Sequence, residues 1–389
     1  MIRKILFYGG IVLIIILILG GMNKESDPDE PDLSGKTVKL DPPTSTTRSF
    51  HLGFTRWPPD FSAQAIDDMW KFIGEHGDLL AHHYDAGVPW PEAYADSAFS
   101  KHVMDDWNLS KSKTPAGHAV YVAITPLADS RDAMAKYLGS ADNMAIPAPW
   151  NTYALDSMEV KRAYTNYAKR IVAHYQPNYL VIGIEVNVAL TKDESAWRAY
   201  KELHKHTYAE LKKLYPNLLI SASFSLPHLE GLPNGSDKTA QEQEIRSLLP
   251  YLDYIALSAY PYGWEYTGGK LSPVPDSYFD TALAFGKPLA IAETGMPSQN
   301  FRAYLMNWEF TEAEQTQYIN MLLRTAQQKK FLFITNWSSI DSDKLAASFP
   351  PIVRDFANFF AYTGLQKSDG TPKKSLEVWD LYNAQSYRR

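Results

Sequence analysis

Two glutamates stand at the ends of apolar runs in this chain of 389 residues. Glu185 follows Val-Ile-Gly-Ile at positions 181–184, and Glu293 follows Leu-Ala-Ile-Ala at positions 289–292. An unpaired carboxylate is costly to bury, so a glutamate that closes a buried strand indicates either an ion-pair partner at the rim or a chemical role. Two carboxyl groups about 5 Å apart can catalyse retaining glycoside hydrolysis, one as nucleophile and the other as general acid and base.

Eight apolar, β-rich segments alternate with helical patterns and predict the elements that position these glutamates. The predicted strands are 50–54, 79–84, 119–125, 179–185, 218–223, 254–259, 288–293 and 331–337. Several are nearly continuous apolar runs, as expected of parallel strands buried on both faces. The alternation predicts an α/β fold, a (β/α)8 TIM barrel, with a doubly wound sheet as the alternative. No Gly-x-Gly-x-x-Gly fingerprint follows the first strand, which favours the barrel.

The barrel prediction brings the two glutamates to one place. In such barrels the site lies at the carboxyl ends of the strands, and strands four and seven lie across the barrel mouth from each other. Helix-start patterns support the same arrangement. Ser62 precedes one apolar helical stripe, and Thr-Glu-Ala-Glu at positions 311–314 reads as a capping box ahead of another.

Composition excludes several classes of function. The chain has no cysteine, which rules out disulfide scaffolds, thiolate metal sites and thiol nucleophiles. Its formal net charge of −6 argues against a nucleic-acid partner. No metalloprotease, nucleophile-elbow or phosphate-loop motif is present. His82 and His83 are adjacent in a strand and so point to opposite faces, which makes them a poor metal site. We therefore predict no metal and no cofactor.

The first 48 residues are predicted to lie outside the fold. Residues 1–21 have a short basic start and then an uncharged run rich in Ile, Leu and Val, which indicates a signal peptide or a membrane anchor. Residues 22–48 are polar and proline-containing, and predict a flexible tether. Residues 49–389 form the predicted barrel. This order predicts an extracytoplasmic protein, either anchored by residues 5–21 or secreted after their removal.

Short motifs at the strand ends resemble clan A of the retaining (β/α)8 glycoside hydrolases. Residues 293–298, Glu-Thr-Gly-Met-Pro-Ser, are similar to the Glu-Thr-Gly-Trp-Pro-Ser motif of family 17 β-1,3-glucanases. Residues 183–187, Gly-Ile-Glu-Val-Asn, are similar to Gly-Asn-Glu-Ile-Asn of family 53 β-1,4-galactanases. Residues 369–374, Asp-Gly-Thr-Pro-Lys-Lys, resemble the closing segment of many clan members.

The resemblance implies roles for individual residues. It implies that Glu185 is the acid/base and Glu293 the nucleophile, that Tyr260 bonds the nucleophile, and that Trp337 lies under the sugar. The clan usually has Asn directly before the acid/base, where it contacts the substrate 2-hydroxyl, but this chain has Ile184. The resemblance therefore implies that this contact is lost, or that another donor such as Asn187 replaces it.

Four further residues are candidate substrate contacts. His83 and Asp85 end the second predicted strand, where one of them faces the substrate or both make structural hydrogen bonds. Trp90 and Trp264 are candidate stacking platforms, with ordinary packing as the alternative.

The sequence as a whole predicts a retaining hydrolase of a β-linked polysaccharide or oligosaccharide, of galactan or glucan type. A transglycosylase with the same residues remains an alternative. So do a membrane-tethered, non-catalytic glycan-binding protein on a degenerate barrel and a barrel enzyme of unrelated chemistry.

Overall fold

Eight parallel strands form the barrel that the alternating pattern predicts. The computed structural model describes residues 43, 45–263 and 274–388. The strands are β1 His51–Thr55, β2 Leu79–Tyr84, β3 Ala119–Ile124, β4 Tyr179–Val181, β5 in two pieces at Leu219–Ser221 and Ser223–Ser225, β6 Ile255–Ala259, β7 Leu289–Thr294 and β8 Phe333–Asn336. Neighbours pair in parallel in chain order, and β8 pairs with both β7 and β1.

The barrel closes through β5. Its first piece pairs with β4 and its second piece pairs with β6, and Ala222 alone separates the two pieces. The interruption lies beside the point where regular strand pairing of β4 ends. After Val181 the backbone makes irregular hydrogen bonds to Ser221 and Ser223 of β5.

Helices cover the outside of the barrel and fill the loops between strands. They are α1 Ala63–His76, α2 Trp90–Ala95, α3 Lys101–Lys113, α4 Met158–Tyr175, α5 Val188–Lys192, α6 Glu194–Leu214, α7 Leu226–Leu229, α8 Lys238–Leu248, α9 Asp280–Leu283, α10 Glu312–Lys329, α11 Asp343–Ser348, α12 Pro351–Asn358 and α13 Lys374–Asn383. A short hairpin, Phe301–Ala303 with Met306–Trp308, follows β7.

Two of the predicted helix starts are confirmed. Ser62 caps α1 by accepting a hydrogen bond from the Ala65 N–H. Thr311 and Glu314 form the predicted capping box at α10, since each side chain accepts from the backbone N–H of the other residue. These caps satisfy N–H groups that a helix start would otherwise leave unpaired.

The core has two layers. Inside the barrel, large aromatic rings fill space between small alanines, and the Phe333 ring centroid lies 4.7 Å from that of Tyr179 and 4.8 Å from that of Tyr121. Outside the strands, a larger apolar layer joins the barrel to its helices. A TIM barrel filled in this way is a packed core, so its chemistry is confined to the mouth.

Residues just before the predicted start of the barrel domain also pack against it. Thr47–Arg48 pair in parallel with Ser386–Tyr387, and the buried Arg48 forms an ion pair with Asp78 at 2.7 Å. Residues 45–48 therefore pack on the domain instead of belonging to the tether. The predicted anchor at 1–21 and residues 22–42 and 44 of the tether lie outside the described residues. Within the part that is described, no helix has the length and apolar character needed to span a membrane.

Candidate active site

Glu293 lies near the carboxyl end of β7, inside the barrel mouth. Its carboxyl group is nearly buried, with 8% of the residue exposed. Oε2 accepts a hydrogen bond of 3.3 Å from the Tyr260 hydroxyl, and Oε1 lies 3.5 Å from Nδ1 of His83. Burial raises the pKa of Glu293 to about 7, and the charge of Glu185 adds to the rise, while His83 and Arg131 oppose it.

The motif after Glu293 is fixed by contacts that explain its residue types. The Thr294 hydroxyl donates to the Ala259 carbonyl at 2.6 Å. A Cβ at Gly295 would lie 2.7 Å from the Trp337 carbonyl oxygen, so this close approach requires glycine. Ser298 bonds the Tyr362 carbonyl through both its N–H and its hydroxyl. The motif therefore joins β7 to its neighbours at the mouth.

Lys373 of the closing segment at 369–374 contacts the same region of the barrel mouth. Lys373 is fully buried, and its ammonium donates to Asp341 at 2.6 Å and to the carbonyls of Tyr362 and Gly364. Burial raises the pKa of Asp341 to about 7 and lowers that of Lys373, although each charge favours the other. This ion pair fixes the loop that follows β8.

Glu185 lies beyond the regular end of its strand. The prediction extended that strand to 185, but β4 ends at Val181. A Cβ at Gly183 would lie 2.1 Å from the Tyr200 hydroxyl, so a larger residue would clash at this position. Glu185 itself has a left-handed φ of 48°, and its N–H donates to Ser223 Oγ at 2.9 Å. After this turn, 25% of the Glu185 side chain is exposed.

The charges of the two glutamates influence the same groups at the barrel mouth. The negative charge of Glu185 is among the causes that raise the pKa of Glu293. The pKa of the Tyr260 hydroxyl is raised first by burial and then by both glutamates. Coulombic effects of this kind require the groups to lie close in a poorly screened environment. The separation of about 5 Å between the carboxyl groups stays a prediction.

Sequence reasoning missed Arg131, which contacts Glu185. Its Nη2 lies 3.4 Å from Glu185 Oε2, and 7% of its side chain is exposed. Arg131 has a left-handed φ of 63°, and its Nε has no hydrogen-bond partner among the residues that the structure describes. A buried guanidinium with so few partners is costly. The only signal in the sequence was its place in the long loop after the third strand.

His83 lies between two acidic groups. Its Nδ1 faces Glu293, and its Nε2 lies 3.6 Å from Asp85 Oδ2. The predicted alternation is confirmed, because the neighbouring His82 turns away into the outer layer and contacts the Thr114 hydroxyl at 3.3 Å. Burial lowers the pKa of His82 well below its usual value.

Aromatic side chains form one wall of the mouth. Trp337 is half-buried, with its ring edge-on to His83 at 5.7 Å between centroids and 5.4 Å from the ring of Trp57. Its indole Nε1 is buried and has no hydrogen-bond partner among the described residues. Trp337, Tyr260, His83, Asp85 and the two glutamates are thus the predicted residues that the structure brings together.

Two other predicted contacts, Asn187 and Trp90, are not part of this group. Asn187 is fully buried, and its amide is engaged by Ser225 and Gln241, so it does not replace the missing asparagine. Trp90 is a core residue whose Nε1 donates to a backbone carbonyl at 2.9 Å. Trp264 lies outside the described residues. No group of His, Asp and Glu in the described part of the chain could hold a metal ion.

Solved structures share this fold at low sequence identity. No protein-family model and no curated protein matches the chain. Exo-β-1,4-mannosidase Op5Man5 from Opitutaceae bacterium strain TAV5 has a TM-score of 0.60 at 16% identity, over 91% of this chain and 62% of that one. A GH5_18 variant from Streptomyces cattleya in complex with Manβ1-4GlcNAc has a TM-score of 0.58 at 14% identity, over 86% of this chain and 80% of that one. Xylanase 10B from Thermotoga maritima has a TM-score of 0.57 at 12% identity, over 86% of this chain and 95% of that one. The chain has the barrel fold of the glycoside hydrolases that its strand-end motifs resemble.

Proposed function

We propose that this protein is a retaining glycoside hydrolase that acts on a β-linked polysaccharide or oligosaccharide. The observation that carries the proposal is the carboxyl group of Glu293, buried at the barrel mouth between His83 and Tyr260 and sensing the charge of Glu185. A buried carboxylate of this kind costs stability, and an ordinary core would not keep it.

The proposed reaction proceeds in two steps. Glu185 protonates the glycosidic oxygen while the Glu293 carboxylate attacks the anomeric carbon, which forms a glycosyl-enzyme ester and releases the leaving sugar. Glu185 then removes a proton from water, and this water displaces Glu293 and frees the sugar. The greater exposure of Glu185 suits a group that gives a proton to the leaving sugar and then takes one from water in each cycle. If a sugar hydroxyl replaces the water, the same residues carry out transglycosylation.

The aromatic wall supports a sugar substrate. The half-buried ring of Trp337, which meets His83 edge-on, offers a flat apolar face at the mouth. The sequence motifs suggest a galactan or a glucan. The names of two proteins of similar fold add β-mannosides and xylan to the substrates worth testing.

A second candidate, a glycan-binding protein without activity, is favoured by one observation. Ile184 is 1% exposed and packs in the barrel interior, and Asn187 is saturated by its own neighbours. No amide on this segment is therefore free to contact a substrate 2-hydroxyl, a contact that strengthens in the transition state.

The test follows the appearance of new reducing ends from galactans, β-glucans, mannans and xylans. Glu293→Gln and Glu185→Gln are both expected to lower turnover by at least about a thousandfold, since each removes a reacting group. Glu244→Gln is the matched control, because Glu244 pairs with Lys201 in the helical layer and should leave turnover unchanged. Binding of a polymer that neither the protein nor its variants cleave would identify the glycan-binding protein instead.

Azide separates the roles of the two glutamates on an aryl β-glycoside that the protein cleaves. With Glu185→Ala, azide attacks the glycosyl-enzyme and gives the β-glycosyl azide. With Glu293→Ala, azide occupies the vacated space and gives the α-glycosyl azide by a single displacement. The opposite assignment of products would reverse the proposed roles.

We also propose that the domain works outside the cytoplasmic membrane. The support is the apolar run at 5–21 with its basic start. Protease treatment of intact cells tests this, because an external domain is degraded without lysis and a cytoplasmic one is not.

A further inference from the structure

Two cationic side chains from different elements lie beside Glu185 at the barrel mouth. Arg131 belongs to the loop after β3, and its Nη2 lies 3.4 Å from Glu185 Oε2. Lys192 ends α5, the short helix that follows Glu185, and its ammonium donates to the carbonyl of Ser130 at 2.8 Å. The loop and the helix thus bring a guanidinium and an ammonium to the same side of the mouth.

The loop that carries Arg131 folds into a closed turn. The Ala128 N–H donates to the Ala133 carbonyl at 2.9 Å, and the Arg131 N–H donates to the Ala128 carbonyl at 2.8 Å. The left-handed φ of Arg131 belongs to this turn, and Lys192 holds the turn through Ser130. The two cations are therefore positioned before any ligand arrives, which lowers the entropy cost of binding.

The two cations act on each other. Burial lowers the pKa of Lys192, the charge of Asp132 opposes this, and the charge of Arg131 lowers the pKa again. Arg131 also opposes the rise in the pKa of Glu293, so its charge reaches the centre of the mouth. Cations that repel each other in a poorly screened place are stabilised by an anion that binds to both.

Most N–H groups of these cations have no acceptor among the described residues. Arg131 has its contact with Glu185 and one of 3.4 Å from Nη1 to the Ala128 carbonyl, and its Nε has none. Lys192 has its bond to Ser130. Only 7% of the Arg131 side chain is exposed, and a guanidinium so deeply buried is usually surrounded by acceptors. The spare donors indicate a ligand that supplies several anionic oxygens.

The neighbouring acids do not supply these oxygens. Neither Asp129 nor Asp132 forms an ion pair with Arg131 or Lys192 in the part of the chain that the structure describes. Burial raises the pKa of Asp129, and a nearby acid adds to the rise. The nearby His228 adds no third cation at neutral pH, because burial lowers its pKa to about 4.

We propose that Arg131 and Lys192 bind an anionic substituent, a carboxylate or a sulfate ester, on the glycan that enters the mouth. The planar fork of a guanidinium matches two oxygens of such a group, and the ammonium offers a further donor. Since the proposed acid Glu185 protonates the leaving oxygen, a group bound beside it belongs to the leaving part of the chain. The substrate class is then an acidic β-linked glycan. This assignment to the leaving side rests on the proposed function, whereas the binding of the anion does not.

The test compares oligosaccharides that share a backbone and differ in charge. Titration calorimetry at pH 7 measures β-1,4-glucuronan tetramers against cellotetraose and β-1,4-mannuronan tetramers against mannotetraose. Cellotetraose and β-1,4-galactotetraose with 6-O-sulfate groups, each against its neutral form, distinguish sulfate from carboxylate. We expect a charged member to bind at least about tenfold more tightly at low salt, and the advantage to shrink at high salt. Failure of every charged member to bind more tightly than its neutral partner would overturn the proposal.

Variants assign the preference to the two cations. Arg131→Asn suits the left-handed backbone, and Lys192→Gln can still donate to Ser130, but each removes one charge. Each should lower the preference at least about threefold, and the double variant should abolish it, whereas Lys192→Arg should keep it. Lys205→Gln is the matched control, because Lys205 pairs with Glu202 on α6 in the helical layer. Urea unfolding checks that each variant is folded. A preference that survives the double variant, or that Lys205→Gln removes equally, would contradict the proposal.

The outcomes separate this inference from the proposed function. If charged oligosaccharides bind preferentially through Arg131 and Lys192 and no glycan is cleaved, the anion site stands in a protein that is not a hydrolase. If neutral glycans are cleaved and charge gives no advantage, the hydrolase stands and the anion site fails.

Discussion

The buried carboxyl of Glu293 connects the stability of the barrel to pH. Its pKa rises from about 4.5 in an unfolded chain to about 7 in the fold. A raised pKa means that stability is fully present below the unfolded value and is lost as the pH rises through the folded value. Glu293→Gln should therefore match the parent at pH 4.5 and be more stable by about 2 to 3 kcal/mol at pH 8.5, as urea unfolding measures.

Glu244→Gln should give the opposite trend. Burial acts to raise the pKa of Glu244, but hydrogen bonds from Lys201 and Trp197 lower it overall. Its contribution is present above the unfolded pKa and is lost on acidification, so the variant should be the less stable protein at neutral pH. A Glu293→Gln variant that loses stability at pH 8.5 would contradict the account of the site given above.

Arg131 gives a second test at the scale of single residues. The left-handed backbone of Arg131 costs about 1 kcal/mol, and its buried Nε has no partner in the described part of the chain. Arg131→Asn tolerates the backbone conformation and removes the guanidinium, both its unpaired Nε and its contact with Glu185. We expect the free energy of unfolding to stay within about 1 kcal/mol of the parent, and turnover to fall at least about tenfold. A large loss of stability with full turnover would make Arg131 a structural residue.

At the scale of elements, the sequence was sufficient where the backbone is regular. The apolar runs predicted the observed bounds of β2, and those of the other strands to within a few residues, because burial on both faces leaves a clear pattern. The apolar run at 289–292 also placed Glu293 near the end of β7.

The irregular segment after β4 could not be predicted in the same way. Its path depends on Gly183 passing the Tyr200 hydroxyl and on the hydroxyl of Ser223 accepting from Glu185, and both partners are distant in sequence. The turn sends Ile184 into the core and Asn187 towards Gln241. Residue type alone could not assign Asn187 or Trp90 to the interior, since both types also suit a sugar cleft.

Gly183→Ala tests the tight passage after β4. The added Cβ would lie 2.1 Å from a buried hydroxyl, so we expect a loss of at least about 2 kcal/mol in unfolding free energy. Tyr200→Phe should recover part of this loss in the double variant. Gly74→Ala in α1 is the matched control, because its new Cβ would meet ordinary contacts at 3.6 Å and should stabilise the helix. Equal effects of the two substitutions would mean that the passage is not tight.

At the scale of the whole molecule, the ion pair between Lys373 and Asp341 holds the closing segment at 369–374 against the loop after β8. Lys373→Met leaves Asp341 buried without its partner, which should cost about 3 to 5 kcal/mol at pH 8. Since burial raises the pKa of Asp341, protonation relieves the cost below about pH 7, and the deficit should shrink towards pH 5. Adding Asp341→Asn should restore much of the stability at pH 8. A deficit that is independent of pH would place the loss elsewhere.

The pairing of Thr47–Arg48 with Ser386–Tyr387 has an orientational consequence. These residues adjoin the start of β1 and contact Asp78, just before β2, so they lie at the face where the strands begin. The glutamates lie where the strands end. The chain therefore enters the domain at the end of the barrel opposite the mouth. An attachment through the preceding residues, as proposed above, would leave the mouth on the far side and open to a long polymer.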